Sequence, residues 1–296
     1  MTRKNTASTP KDIAYILIGA IFISFSANWV TWSQVDPIIS AFYRVFFGLI
    51  FLGIACVAGK EIRPLGLPAW GYCILCGLCF AANLYCWHVS IRYVGPGLAT
   101  ILGNFQVFVL TIISILFFGQ PARSLFFFSL PLAFCGLFLI IGIDWDSLPA
   151  HYRIGVFFGL LTAVFYSCFI LALRKIQQLQ EELSFIYVLL LISAVTSAVL
   201  GPLIFISGKS FAIPSLQSLV SLAGLGLFSQ AVGWGFIAGS LPKVMPSIAG
   251  LILLLQPSLA FLWDVLLFDR PTSGTQWFGV GVVIFAIYLG IWSSKD

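Results

Sequence analysis

Three ionisable side chains, Arg44, His88 and Asp264, stand inside long apolar stretches of this sequence. An ionisable group at membrane depth costs roughly 3 kcal/mol or more, so it faces a cavity or a partner. Arg44 lies eight residues after Asp36, about 12 Å along a helix. From there it can pair with a carboxylate or a substrate anion, or extend its stem to nearby headgroups. Asp264 stands a turn before the end of its stretch, either as a coupling acid or as a rim acid paired with an arginine. His88 can titrate near neutral pH or cap the end of its helix. If protons are the coupling ion, His88 and Asp264 are the residues to carry them.

Uncharged polar and aromatic groups offer a small solute hydrogen bonds set in a mostly apolar wall, the mix that ligand sites carry. Phe80, Asn83, Trp87 and Ser90 are spaced 3, 4 and 3 residues apart, which puts them on one helical face. Thr100 and Asn104 share a face on the next stretch, and Ser24 and Asn28 share one near the N-terminus, beside Trp29. Later come Tyr166 and Ser167, then Gln230 with Trp234 one turn on, and Gln256. The candidate cavity set is Asn28, Trp29, Asn83, Trp87, His88, Asn104, Tyr166, Gln230, Trp234 and Gln256, with Arg44 and Asp264 as a coupling or ion pair. For each polar group the alternative is a hydrogen bond between helices, worth about 0.6 kcal/mol. For an aromatic near a helix end it is a place in the interfacial belt.

Catalytic residues are not expected. The two histidines, His88 and His151, form no H-E-x-x-H zinc pair. No Gly-rich phosphate loop followed by Lys-Ser/Thr is present, which argues against an ATP-driven pump. All seven cysteines fall in apolar stretches, and Cys73, Cys76 and Cys79 make two overlapping C-x-x-C pairs. Without the loop framework that metal and disulfide sites need, they read as small packing residues. No metal or cofactor is expected, and no nucleic-acid partner, because the net charge of +5 is spread over short loops rather than clustered on one face.

The elements that position these residues follow from composition. The chain is 60% hydrophobic and 8% charged, against about 25% charged in soluble domains. So few charges cannot cover a soluble surface, so the outer solvent is expected to be the lipid bilayer. Ten stretches near 12–33, 37–59, 68–91, 96–118, 122–143, 154–174, 183–207, 215–241, 245–268 and 273–292 meet the length of about 20 residues that a spanning helix needs. The junctions Asp36-Pro37, Arg63-Pro64, Gly95-Pro96, Gln120-Pro121, Leu241-Pro242 and Arg270-Pro271 separate them, because proline ends the helix before it and suits the first turn of the next. Unpaired amides are excluded in hydrocarbon, and these runs are too long and continuous for membrane strands. The fold predicted is all-α.

Lysine and arginine in the loops set the orientation. With the N-terminus inside, Arg3, Lys4, Lys11, Lys60, Arg63, Arg123, Arg174, Lys175, Lys243 and Lys295 face the cytoplasm, and Arg92, Arg153, Lys209 and Arg270 the other side, ten against four. Both termini are therefore expected in the cytoplasm, in a bacterial-type inner membrane. The Met1–Lys11 segment is polar and the stretch after it has no cleavage motif, so no signal peptide is expected.

A shift of 150 residues lays Pro96 on Pro246, Ala99 on Ala249, Gln106 on Gln256, Phe118 on Phe268 and Pro121 on Pro271, with Ser90 on Ser240 upstream. A shift of 140 lays Gly19 and Phe25 on Gly159 and Phe165. The chain thus divides into a tail 1–11, a first repeat 12–143, a periplasmic linker 144–153, a second repeat 154–292 and a tail 293–296. Five spans per half make the second half enter the membrane from the opposite side, an inverted repeat of the kind that lets a carrier open one cavity alternately to either face.

These residues resemble the drug/metabolite transporter superfamily, in particular its EamA group of ten-helix carriers. Pro37-Ile38-Ile39-Ser40-Ala41-Phe42-Tyr43-Arg44 resembles the start of the group's second helix. Ile91 to Pro96 resembles the junction of helices 3 and 4, and Leu255-Gln256-Pro257 with Leu267-Phe268-Asp269-Arg270 resembles helix 9. Gly119 stands where the group has an acid at the end of helix 4, with Asp269 as its counterpart, and Val107 stands where helix 9 has Pro257. The resemblance implies a secondary carrier for a small metabolite such as an amino acid or similar amphipathic solute, working by alternating access in the direction of efflux. Two other classes compete: an intramembrane enzyme acting on lipid, and a non-transporting receptor or assembly subunit. The sequence selects neither monomer nor homodimer.

Overall fold

The computed structural model of the chain describes residues 10–118, 124–141, 148–179, 183–240, 253 and 255–293. Pro246, Ala249, Gly119, the Gln120-Pro121 and Leu241-Pro242 junctions, and Arg3, Lys4, Arg123, Lys243 and Lys295 lie outside the described residues, as do most of both tails and the start of the linker. Among the described residues the regular elements are all helical. They are α1 (Pro10–Ser24), α2 (Ser26–Ser33), α3 (Pro37–Gly59), α4 (Leu67–Val94), α5 (Pro96–Gly103), α6 (Gln106–Phe118) and α7 (Ser124–Ile141). They continue with α8 (Ala150–Leu179), α9 (Phe185–Ile206), α10 (Leu216–Gly224), a π-helical stretch π1 (Leu225–Gly233), α11 (Trp234–Ser240), α12 (Leu255–Phe268) and α13 (Gly274–Ser293). Among the described residues six helices are long and apolar enough to cross a membrane: Pro10–Ser33, Pro37–Gly59, Leu67–Val94, Ala150–Ile176, Phe185–Ile206 and Leu216–Ile237. Four shorter apolar helices, Pro96–Leu110, Phe127–Ile140, Leu255–Phe268 and Gly274–Leu289, accompany them.

Local chemistry explains the boundaries. Asp36 accepts from the Ile38 amide at 3.2 Å and Pro37 takes the first helical turn, so α3 starts there. Ser184 caps α9 and Ser215 caps α10 through hydroxyls that accept from Tyr187 and Ser218 amides at 3.1 and 3.0 Å. Between α4 and α5 the chain turns at Gly95, whose φ of +85° suits glycine alone among common residues.

Three predicted spans are interrupted. In the first, Ser24 and Ser26 hydroxyls donate back to the carbonyls of Ile21 and Ile23 at 2.7 and 2.6 Å, competition of the kind that bends helices. In the fourth, the Asn104 side chain donates to the Thr100 carbonyl at 2.8 Å and the helix breaks between Gly103 and Gln106. In the eighth, the backbone widens into π1, which ends at Gly233. Such insertions recur at functional sites.

α3 packs on α9 and α7 on α13, joining helices that correspond under the 150-residue repeat, and α5 packs on α12, joining the fourth and ninth predicted spans that the same shift aligns. Three of the unlike pairings come in mates: α4 with α8 and α1 with π1 and α11; α4 with α9 and α3 with π1; α5 with α8 and α1 with α12. Among the described residues two large buried apolar clusters result, beside a small one at Ile16 and Ala20 of α1. One gathers α5, α7 and α13 with Phe261 of α12, and the other gathers α3, α4 and α9 with Phe169 of α8. The outer surface is apolar, with Leu116, Phe117, Phe128, Phe205 and Ile206 each more than 70% exposed, a surface that lipid solvates and water does not.

Candidate binding cavity

Among the described residues, two cavities take in residues singled out in the sequence. The larger, about 610 Å³, is a vestibule walled by Val30 and Thr31 of α2, the Gln34–Asp36 turn, Pro37 and Ser40 of α3, and His88, Ile91 and Arg92 of α4. Gly95, Pro96, Asp264 and Phe268 complete it. It sits at the end of the bundle where α3 begins and α4 and α12 end. The smaller, about 110 Å³, lies deeper. Ile23, Ser26, Arg44, Phe80, Asn83, Leu84, Trp87, Thr100, Gly103, Asn104 and Gln106 come to it from the first half, and Thr162, Tyr166, Trp234 and Gln256 from the second.

The two spaces are divided by successive layers across α3 and α4. Ser40 Oγ and His88 Nδ1 hydrogen-bond at 2.6 Å in the vestibule wall. One helical turn further in, the Arg44 guanidinium lies over the Trp87 ring at 5.4 Å. His88 is fully buried, and among the described residues its Nε2 has no partner. It is therefore not the helix cap that its sequence position allowed.

Arg44 is 5% exposed, so its stem does not carry the charge out to headgroups. Its Nε donates to Gln230 Oε1 at 3.1 Å, and Gln230 Nε2 donates to Ser193 Oγ at 3.2 Å. π1 is the element that presents Gln230, fully buried, to α3. Among the described residues Arg44 forms no ion pair. Asp264, by contrast, accepts from Arg270 Nη1 at 2.8 Å and from the Gly97 amide at 3.0 Å, while Arg270 Nη1 also donates to the Val94 carbonyl at 2.9 Å. This network ties the end of α4 and the start of α5 to α12. A β-carbon on Gly97 would meet the Phe261 backbone at 2.7 Å, so only glycine permits that approach.

Of the twelve residues singled out in the sequence, Arg44, Asn83, Trp87, Asn104, Tyr166, Trp234 and Gln256 line the inner cavity. His88 and Asp264 line the vestibule. Gln230 stands behind Arg44 and touches the cavity only through it. Trp29 packs among Phe25, Trp32 and Phe228, and Asn28 is buried with both side-chain polar atoms unpartnered among the described residues; neither cavity accounts for it. Asn83 donates to the Thr162 carbonyl at 3.1 Å, so it is also a strut between α4 and α8. Gln106, Ser26 and Thr162 line the cavity without having been singled out for it. Gln106 carried a signal, since the 150-residue shift lays it on Gln256, and the two glutamines face the same space.

The inner lining offers one cation, several amides and hydroxyls, and four aromatic rings, groups that can hold a small solute. Comparison with known proteins agrees in kind. A family model described as the EamA-like transporter family matches residues 11–142 and again residues 153–292. A search of curated proteins gave no match. Among solved structures, 28 chains match; one crystal structure, described only as that of a protein, aligns over 94% of this chain and 97% of its own at 14% identity with a TM-score of 0.68, a likeness of fold.

Proposed function

The chain belongs to the EamA-like transporter family, within the drug/metabolite transporter superfamily, and is a multi-pass membrane protein; on that premise we propose that it is a secondary carrier moving a small amphipathic metabolite, of amino-acid size, by alternating access. The observation that carries the reading is the inner cavity, small, polar and aromatic, built from both matched segments of the chain. The mated helix pairings support two repeats, here proposed as 12–143 and 154–292, each of five spans and inverted relative to the other. Exchange of the two packings would open the cavity to one face and then the other.

In this reading the vestibule marks the open face, opposite the cytoplasm. At the far end of α3, Glu61 accepts a 2.6 Å hydrogen bond from Ser184, a contact between the halves that supports closure there. Both termini are cytoplasmic in an inner membrane, the solute is exported, and Arg44, Asn83, Trp87, Asn104, Tyr166, Trp234 and Gln256 contact it. Protons would reach the carrier through His88 or Asp264 in the vestibule wall. The rival readings, lipid enzyme and non-transporting subunit, have no such need of a cavity shared between two repeats.

Two measurements test this. In a cysteine-free background, Arg92→Cys and Lys243→Cys, which precede the repeat-related positions 96 and 246, are expected to label from opposite faces of the membrane. Labelling from one face removes the inverted repeat. Proteoliposomes holding the purified chain are expected to exchange small metabolites, and turnover of a lipid without exchange would favour the enzyme.

A further inference from the structure

We propose that the solute is a small organic monoanion, a monocarboxylate without an ammonium group, held through its carboxylate by Arg44. The proposal rests on the carrier reading above and names the substrate class of the same cavity. A guanidinium stays protonated in proteins, so Arg44 brings one positive charge to the inner cavity. Gln230, fixed by Ser193, engages its Nε, and among the described residues neither Nη group has a hydrogen-bond or ion-pair partner. That leaves the two Nη groups at the end of the fork, which can meet a carboxylate bidentately.

Among the described residues no acid neutralises that charge. The inner cavity is lined by no acidic residue. Asp264 is held by Arg270, and Asp36 by Arg92 and Lys209. Asp12 lies in the first turn of α1, Glu61 and Asp269 just beyond the ends of α3 and α12, and the other five acids, at 144, 146, 181, 182 and 296, fall between or after the apolar stretches. Residues 241–254 contain none. A buried charge without a partner is unfavourable, and the missing partner here carries a single negative charge. A zwitterion would bring an ammonium group to a space with no carboxylate to receive it.

Two further groups narrow the class. Trp234 Nε1, a donor, and Gln106 Oε1, an acceptor, are buried in residues that line the cavity, and neither has a partner among the described residues. A 2-hydroxy acid carries an acceptor and a hydroxyl proton of the kinds that complement these two atoms, which a small turn of either side chain would bring to the cavity. The cavity, about 110 Å³, is well below the roughly 300–1,000 Å³ of drug-sized sites, so the carbon skeleton is short.

The test uses matched solutes in counterflow on proteoliposomes of the full chain: L-lactate, L-alanine and lactamide, then 2-hydroxyisovalerate, valine and 2-hydroxyisovaleramide. Within each set the skeleton is constant and the charge is anionic, zwitterionic or neutral. At least one hydroxy acid is expected to exchange about tenfold or more faster, at limiting concentration, than its amino acid or amide, as for loss of a charged hydrogen bond. Arg44→Gln is expected to remove that preference, and Arg44→Lys to keep its sign with weaker affinity. If Arg44→Gln does not fold, the wild-type series alone decides. An amino acid exchanging as fast as its hydroxy acid overturns the monoanion and leaves the carrier standing; exchange of none of the six overturns both.

Discussion

Asp264 and Arg44 are both ionised groups buried among the helices, and the protein treats them in opposite ways. In the vestibule wall, Asp264 has an arginine and a backbone amide as partners, and that arginine also holds a carbonyl of α4. Among the described residues, Arg44 of the inner cavity has one neutral amide oxygen, and Trp234 and Gln106, which line the same cavity, keep unpartnered polar atoms. A polar group satisfied within the chain lowers the energy of the fold whether or not anything is bound. One left unsatisfied raises it, and is stabilised when a ligand supplies the partner. The Asp264 pair therefore serves the architecture, whether or not it also carries a proton, and the inner-cavity groups serve recognition. This division follows from hydrogen bonding and can be broken by substitution.

The largest effect is expected at Asp264. Asp264→Ala leaves Arg270 without its carboxylate and the Gly97 amide without its acceptor. Removing one member of a buried pair costs about 3–5 kcal/mol, and Arg270, whose side chain is 14% exposed, sets the expectation at the low end of that range. Unfolding in mild detergent should show it as a lower midpoint, with Asp264→Asn in between because its amide oxygen can still accept from Gly97. If Asp264→Ala unfolds like the wild type while abolishing exchange, Asp264 belongs to transport and the comparison fails.

The sequence made the vestibule more legible than the cavity. Asp36-Pro37 and Gly95-Pro96 announce helix starts through stereochemistry that acts within a few residues, and both junctions stand where expected. Asp264 was readable as one half of a pair because Arg270 is six residues away. Arg44 and Gln230 are 186 positions apart, and only the packing of α3 on π1 brings them together. The turn at Asn104 and the π widening arise where a side chain or a neighbouring helix competes with the ordinary backbone ladder, which hydropathy does not register. Gln106 was half visible, marked by the repeat but hidden in an apolar run.

A smaller effect, of opposite sign for stability and binding, is expected at Trp234. Trp234→Phe removes the unpartnered N–H and keeps an aromatic ring beside Tyr166 and Phe185. Stability should hold or rise slightly, since a buried donor without an acceptor is gone. Affinity for the transported solute should fall by a factor of about 2 to 10, the worth of one ordinary hydrogen bond. A measured loss of stability with unchanged affinity would mean that the indole N–H serves the fold, and would move Trp234 to the other side of the comparison.

The smallest effect is expected at the vestibule mouth. Asp36 meets Lys209 Nζ at 2.5 Å and Arg92 Nη1 at 3.5 Å, but these side chains are 29%, 41% and 57% exposed, and pairs so open to water contribute about 0–1 kcal/mol. Asp36→Asn keeps a side chain able to cap α3, so only the charge is lost, and the change in unfolding free energy should stay below about 1 kcal/mol. Asp36→Ala also loses the cap and should cost about 1 kcal/mol more. Removing the one negative charge beside Arg92 and Lys209 leaves the mouth more positive. An anionic solute should then enter slightly faster at low salt, and the gain should vanish near 0.1 M salt, where charges more than about 10 Å apart are screened. A zwitterion should not respond. The salt dependence of this variant therefore reports the charge of the solute from a site that never touches it.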